Sequence, residues 1–188
     1  MSGNATNLKA LFLDRDGVIN EEASYLWRRE GVRFVPGIFS LCRTAQSLGY
    51  KLVVVTNQAG IGRGMYTEAE FHTLMDWMRS EFAREGVTLN AVYFSPYHPE
   101  HGIGDYKRDH EDRKPGTGML RRAVTDLGIS LADSILVGDR CTDIAAANAA
   151  ALRQAFLIAG TEPPEACPAN FLPVTTLAEV ESWLFANP

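Results

Sequence analysis

A three-layer α/β sandwich, with helices on both faces of a central parallel sheet, is the fold the sequence predicts. Strand-like and helix-like patterns alternate along the whole chain, the order that βαβ crossovers produce. The strand-like stretches, 10–13, 51–55, 91–94, 134–137 and 155–158, are short and almost wholly apolar, as strands buried on both faces are. At 188 residues the chain has the length of one domain with a sizeable core, and no repeat or second domain is apparent.

Met1 to Asn7 is small and polar, and a frayed tail is expected there. The first strand ends in Asp14 and Asp16, with Gly17 to turn the chain. A polar loop, 21–33, holds Glu22, Tyr25 and Trp27. Pro36 and Gly37 open a helix with Ile38, Leu41, Cys42, Ala45 and Leu48 at helical spacing, and Gly49 closes it. The second strand runs into Thr56, Asn57, Gln58, Ala59 and Gly60. Thr67 and Glu70 form a capping box ahead of a helix with Phe71, Leu74, Met75, Met78 and Phe82 inward. After the third strand a long loop, 95–114, carries His98, His101 and His110; loops this long in compact domains are usually functional. A helix from Thr117 or Gly118 turns Met119, Leu120, Ala123, Val124 and Leu127 inward and ends at Gly128. The fourth strand leads into Gly138, Asp139 and Arg140, then an alanine-rich helix over 142–151. A Pro-rich loop over 161–173 follows the fifth strand, and a last helix is capped by Thr176 and Glu179.

Composition narrows the function classes. Hydrophobic residues are 46% and charged residues 22%, ordinary for a globular protein. A net charge of −5 leaves no electrostatic footprint for nucleic acid. No apolar run is long enough to span a bilayer, and no secretory leader pattern opens the chain. The three cysteines, Cys42, Cys141 and Cys167, are scattered without a CxxC pair. That predicts neither a disulfide framework nor a cysteine zinc site, and a reducing, cytoplasmic setting.

Ligands in open α/β sheets bind beyond the carboxyl ends of the strands. Three strand ends bring Asp14 and Asp16, Thr56 and Asn57, and Asp139 with Arg140 to one edge; Asp143 follows one helical turn later. Arg113 and Lys114 precede Pro115 at the end of the long loop. Clustered carboxylates repel unless a cation lies among them, and an oxygen-rich site suits Mg²⁺ with a substrate phosphate. Taken singly, Thr56 is a strand-end residue, Asp143 a helix N-terminal acid, and the basic pair a solvated loop. Together they form the charge arrangement that phosphoryl transfer needs.

The motifs FLDRDGVIN, VVVTNQAGIGRGMYTEAEF, RKP and VGDRCTDIAAA, over about Leu8 to Ile158, resemble the haloacid dehalogenase (HAD) superfamily. Within it they look like the small phosphatases of D-glycero-D-manno-heptose 1,7-bisphosphate, enzymes of lipopolysaccharide biosynthesis that lack a large cap domain; histidinol-phosphate phosphatases are the alternative. The resemblance implies a Rossmann-like core and an aspartyl-phosphate mechanism. Asp14 would be the nucleophile and Asp16 the general acid and base. Asp14, the Asp16 backbone carbonyl and Asp139 would hold Mg²⁺. Thr56 and Asn57 would bind the phosphoryl group, and Lys114 would neutralise its charge. Arg113, Arg140, Glu22 and Tyr25 would contact the sugar phosphate. Arg140 stands where the family usually has lysine.

One departure concerns the loop over 95–114. The family usually closes it with zinc on three cysteines and a histidine, where this chain has Ser95, Tyr97, His110 and Asp112. Serine and tyrosine are poor zinc ligands, so the loop is expected to be ordered by hydrogen bonds and packing. The expectation is thus a monomeric Mg²⁺-dependent sugar-phosphate phosphatase, rivalled by a phospho-acceptor signalling domain and by a non-catalytic phosphosugar-binding module.

Overall fold

The computed structural model describes residues 8–159 and 167–188. The expected tail over 1–7 and the first part of the expected Pro-rich loop, 161–166, lie outside them. Six strands, β1 (Lys9–Leu13), β2 (Tyr50–Asn57), β3 (Leu89–Ser95), β4 (Ile135–Gly138), β5 (Gln154–Ile158) and β6 (Leu172–Val174), form one sheet. Its order is β3-β2-β1-β4-β5-β6, and every pairing is parallel. The helices are α1 (Ile38–Ser47), α2 (Ala59–Gly62), α3 (Glu68–Arg84), α4 (Gly118–Leu127), α5 (Cys141–Ala149) and α6 (Leu177–Ala186).

Strand alternation builds the layers. Leu11, Leu13, Leu52, Val54, Ile135 and Val137 share one core with α1, α3 and α6. Their neighbours Ala10, Phe12, Val53, Val55 and Leu136 share the other with α4 and α5. Successive side chains on a strand point to opposite faces, so apolar runs without polar alternation fill both cores. Thr67 and Glu70 form the expected reciprocal capping box on α3, and Phe71, Leu74, Met75, Met78 and Phe82 are buried.

The first, second and fourth strands lie side by side at the centre because β1 pairs with both β2 and β4. All being parallel, their carboxyl ends share one edge. The loop after β1 is folded back: Asn20 bridges Asp16 and Phe34, and the Glu21 amide donates to the Arg33 carbonyl at 2.8 Å. A short 3₁₀ turn, Arg29–Gly31, lies inside it. Among the described residues no segment between the strands builds a large cap.

Several expectations need correction. Part of the Pro-rich loop is the sixth strand, which contains Pro173. A proline is tolerated there because β6 is an edge strand with only β5 as partner. Val124 is 37% exposed rather than inward; α4 buries only the stripe of Met119, Leu120 and Ala123 beside β2 and β3. The expectation of no disulfide also fails. Cys141 and Cys167 form a disulfide, and Cys42 alone is free and buried. Cys141 opens α5 after β4, and Cys167 lies in the segment after β5. Because β4 and β5 are neighbours, residues 26 apart in sequence meet at the same sheet edge.

Closing a loop of that length constrains the unfolded chain by about 3 kcal/mol. Cys167→Ser is therefore expected to lower unfolding stability by that order in urea titrations. Reduction of the wild type should reproduce the loss, and the variant should no longer respond to reductant.

Candidate active site

Asp14 follows β1, and its backbone amide donates to the Val137 carbonyl of β4 at 3.0 Å. One carboxylate oxygen accepts from Lys114 Nζ at 2.7 Å. The same ammonium donates to the Val55 carbonyl at 2.8 Å and lies 2.5 Å from Asp143 Oδ1. Asn57 holds Lys114 in place: its side-chain amide donates to the Lys114 carbonyl and its oxygen accepts from the Lys114 amide, both at 3.0 Å. The amide that sequence reasoning gives to a phosphoryl group is engaged here in seating the lysine.

Asp14, Asp139 and Asp143 are all buried, and each presents a carboxylate oxygen within 4.8 Å of the others. Gly17 permits this approach. It sits at φ +87°, and a Cβ there would lie 2.4 Å from Asp139 Oδ2. Asp143 was expected as a helix N-terminal acid and is one: its carboxylate accepts the Arg140 amide at 3.1 Å. It also belongs to the acidic cluster, which a sequence position alone does not reveal.

The Asp16 carboxylate is turned out of that cluster. It pairs with the buried Arg15 at 2.8 Å and accepts from Asn20 at 3.0 Å and Gln58 at 3.1 Å. The ligand role expected of Asp16 belonged to its backbone carbonyl, which this orientation leaves unaltered. Thr56 is buried, and its hydroxyl accepts from Gln58 Nε2 at 2.8 Å; Tyr66 in turn donates to Gln58 Oε1 at 2.5 Å. Gln58 thus couples β2 to Asp16. Sequence reasoning missed it, although it stands inside the TNQAG stretch. It also missed Arg15, whose guanidinium donates to the Leu26 carbonyl at 2.9 Å and ties down the loop over 21–33.

A cleft of about 390 Å³ opens above these groups. Asp14, Asp16, Asn57, Lys114 and Asp143 line it, and Glu22, Tyr25, Arg63, His98, Arg113 and Arg140 line it too. Thr56 and Asp139 are not among the lining residues. Glu22 pairs with Arg140 at 3.5 Å.

Burial pushes Asp14 up to about 6, with Asp143 and Asp16 adding and Lys114 opposing. Burial likewise raises Asp139 to about 7, helped by Asp14 and Asp143. Burial works against the Lys114 charge, yet Asp14 and Asp143 hold it well above the usual lysine range. Three buried carboxylates face one ammonium, so the centre favours either protons or a further cation. Three aspartate oxygens so close together fit a hard divalent ion such as Mg²⁺.

The expected zinc-free closing of the loop over 95–114 rests on contacts among its own side chains. Tyr97 stacks on His110 with ring centres 3.9 Å apart, and His110 Nδ1 accepts the Asp112 amide at 3.1 Å. Asp112 pairs with Arg122 at 3.2 Å. His98 Nδ1 accepts the amides of Glu100 and His101 at 3.2 and 3.1 Å. The loop is thus closed by ring stacking, an ion pair and turn hydrogen bonds to the two Nδ1 atoms.

Comparison with known proteins agrees with this geometry. A HAD-hydrolase-like family model matches residues 112–180. A D-glycero-alpha-D-manno-heptose-1,7-bisphosphate 7-phosphatase of Burkholderia mallei is 51% identical over 150 residues, covering 80% of this chain and 79% of that one. The corresponding beta-named enzyme of Vibrio cholerae is 43% identical over 154 residues, covering 82% and 83%. Among solved structures, a HAD-like phosphatase from Mesorhizobium loti superposes with TM-score 0.85 at 34% identity, covering 96% of this chain and 86% of that one. A D,D-heptose 1,7-bisphosphate phosphatase from B. bronchiseptica, complexed with magnesium and phosphate, gives 0.81 at 25% identity, covering 96% and 99%.

Two outcomes are expected. With Asp14 near 6 and Asp139 near 7 against 3.8 in the unfolded chain, the cation-free fold binds more protons than the unfolded chain between about pH 4 and 7. These groups therefore stabilise it least above that window. Mg²⁺ should raise Tm clearly at pH 8 and little at pH 5 in chelator-treated protein; equal shifts at both would contradict the assignment. Lys114→Met leaves carboxylates buried without their ammonium and should cost about 3–5 kcal/mol in denaturant unfolding without metal.

Proposed function

The chain belongs to the D-glycero-D-manno-heptose-1,7-bisphosphate 7-phosphatases, HAD-like hydrolases, and on that footing we propose that it removes the 7-phosphate of this bisphosphate through a phosphorylated Asp14. The observation that carries the chemistry is the buried group of Asp14, Asp139 and Asp143, with the Lys114 ammonium paired to Asp14 and Asp143, beneath an arginine-walled cleft. The relatives divide between the two anomers in their names, so both are substrates to assay.

In this reading an Asp14 carboxylate oxygen attacks phosphorus, and the bond from phosphorus to the sugar oxygen breaks. Asp16 gives its proton to the departing oxygen. Its carboxylate, oriented by Arg15, Asn20 and Gln58, then takes a proton from water as that water attacks the aspartyl phosphate. Phosphate leaves and Asp14 is regenerated. Lys114, held by Val55 and Asn57, keeps Asp14 ionised despite its burial and screens the incoming phosphoryl charge. A divalent ion held by Asp14, Asp139 and the Asp16 carbonyl, with Asp143 beside them, would screen the repulsion between carboxylate and phosphate dianion.

Outside the centre, Arg113, Arg140, Glu22 and Tyr25 line the approach and would contact the sugar phosphate. Action as a monomer is part of the same reading. Among the described residues no helix is long and apolar enough to cross a membrane. A cytoplasmic site of action is part of the same reading; there the pair Cys141 and Cys167 meets a reducing thiol pool.

Phosphate release from the 1,7-bisphosphate should require Mg²⁺, yield the 1-phosphate, and fall by about four orders of magnitude or more in Asp14→Asn. A variant retaining wild-type kcat would remove Asp14 from the chemistry.

A further inference from the structure

The cations lining the cleft fall into two sets. Lys114, on the floor, is matched by Asp14 and Asp143, and Arg140 is matched by Glu22. Arg63 and Arg113 differ. Among the described residues neither makes an ion pair: Arg113 donates to the Tyr97 carbonyl at 3.1 Å, and Arg63 to the Tyr25 hydroxyl. Both line the cleft together with His98. Burial, then the nearby charges of Arg113, His101 and Arg63, hold His98 below the usual histidine range, so this wall gathers positive charge around one volume.

Arg63 is fixed from both sides. It caps the short helix α2, with its amide donating to the Ala59 carbonyl at 3.0 Å. The preceding carbonyl, of Gly62, accepts from Ile103 at 2.8 Å, which joins α2 to the loop after β3. On the cleft side the guanidinium lies 5.6 Å over the Tyr25 ring. Tyr25 is 39% exposed and sits at φ +54°, a left-handed conformation uncommon for a bulky residue. Strain of this kind persists where surroundings enforce it, and it recurs at ligand clamps. Here the enforcing contacts are the Arg63 bond and the neighbouring Leu26 carbonyl held by Arg15.

A partly enclosed guanidinium whose partners are all neutral is a receptor for an anion. The floor already provides for the phosphoryl group that reacts. We propose that Arg63, clamped by Tyr25, is a specificity-determining residue that receives, with Arg113, the phosphate the enzyme does not hydrolyse. This deepens the bisphosphatase reading and rests on it: a substrate with a second phosphate satisfies the wall, and a monophosphate leaves it unmatched. The cleft, about 390 Å³, has the size of a small-metabolite site.

The test compares kcat and KM for the heptose 1,7-bisphosphate and for the same heptose carrying only the 7-phosphate, in wild type, Arg63→Met and Arg63→Lys. Arg63→Met is expected to raise KM for the bisphosphate about 10- to 100-fold, with the change in KM rather than kcat. The preference for bisphosphate over monophosphate should shrink accordingly, and Arg63→Lys should restore part of it. An equal loss of kcat/KM on both substrates would mark a structural role and overturn the proposal, as would no change on either. If the wild type itself fails to favour the bisphosphate, the substrate reading falls, a result visible before any variant is made.

Discussion

The Lys114 ammonium is the contact on which the rest of the site depends. It arrives from the loop after β3 and joins the end of β1 through Asp14, β2 through the Val55 carbonyl, and α5 through Asp143. Three segments remote in sequence are thereby locked around one charge. A buried ammonium is tolerable only with such partners. The partners in turn are tolerable only with it, and even then the balance is uneven, because Asp14, Asp139 and Asp143 outnumber it. Burial, and then the excess negative charge, raises the affinities of Asp14 and Asp139 for protons. It also suits the centre to a divalent ion. Stability and chemistry draw on the same imbalance.

Around this fixed floor the charges are arranged in tiers. The inner tier sits on strand ends and is sealed by backbone bonds, as when Asn57 seats Lys114. The middle tier is Asp16, held by Arg15, Asn20 and Gln58 so that its carboxylate faces away from the acidic cluster. That separation puts neighbouring acids of one motif in different surroundings, one inside a cation-seeking cluster and one in a bed of donors, as the proposed mechanism requires of them. The outer tier, Arg63, Arg113 and Arg140 with Tyr25 and Glu22, stands on loops and on a short helix. In the function proposed above, selection among substrates falls to this tier, since binding residues on loops carried by a rigid sheet can vary without disturbing the core.

The loops themselves are stabilised by side-chain contacts and a covalent link. Tyr97 and His110 stack, Asp112 reaches Arg122, and Tyr106 donates to Glu68 at 2.9 Å, so the long segment after β3 is closed by rings and hydrogen bonds. On the other side of the centre, the Cys141–Cys167 disulfide fixes the start of α5, the helix that carries Asp143. A covalent link next to residues 139, 140 and 143 makes the thiol state of the surroundings relevant to how firmly that helix end is held.

Much of this was legible in the sequence for simple reasons. Apolar runs of strand length, helical spacing behind Pro36 and Thr67, and paired acids after the first run follow from periodicity and turn chemistry, which are local. So the alternating fold, the placement of Asp14, Asp16, Thr56 and Asp139 at strand ends and of Lys114 at the end of the long loop, and the core positions of α3 could be read from the order of residues alone. What tertiary structure alone decided depends on which strands become neighbours and which way side chains turn at their ends. The β4–β5 pairing brought Cys141 to Cys167, the edge position of β6 admitted Pro173, and the narrow contact of α4 left Val124 in water. The turn at Gly17 let Asp139 close in, while Arg15, Asn20 and Gln58 held the Asp16 carboxylate away from the acidic cluster. These outcomes arise from contacts between segments far apart along the chain, where spacing carries no information and only packing selects.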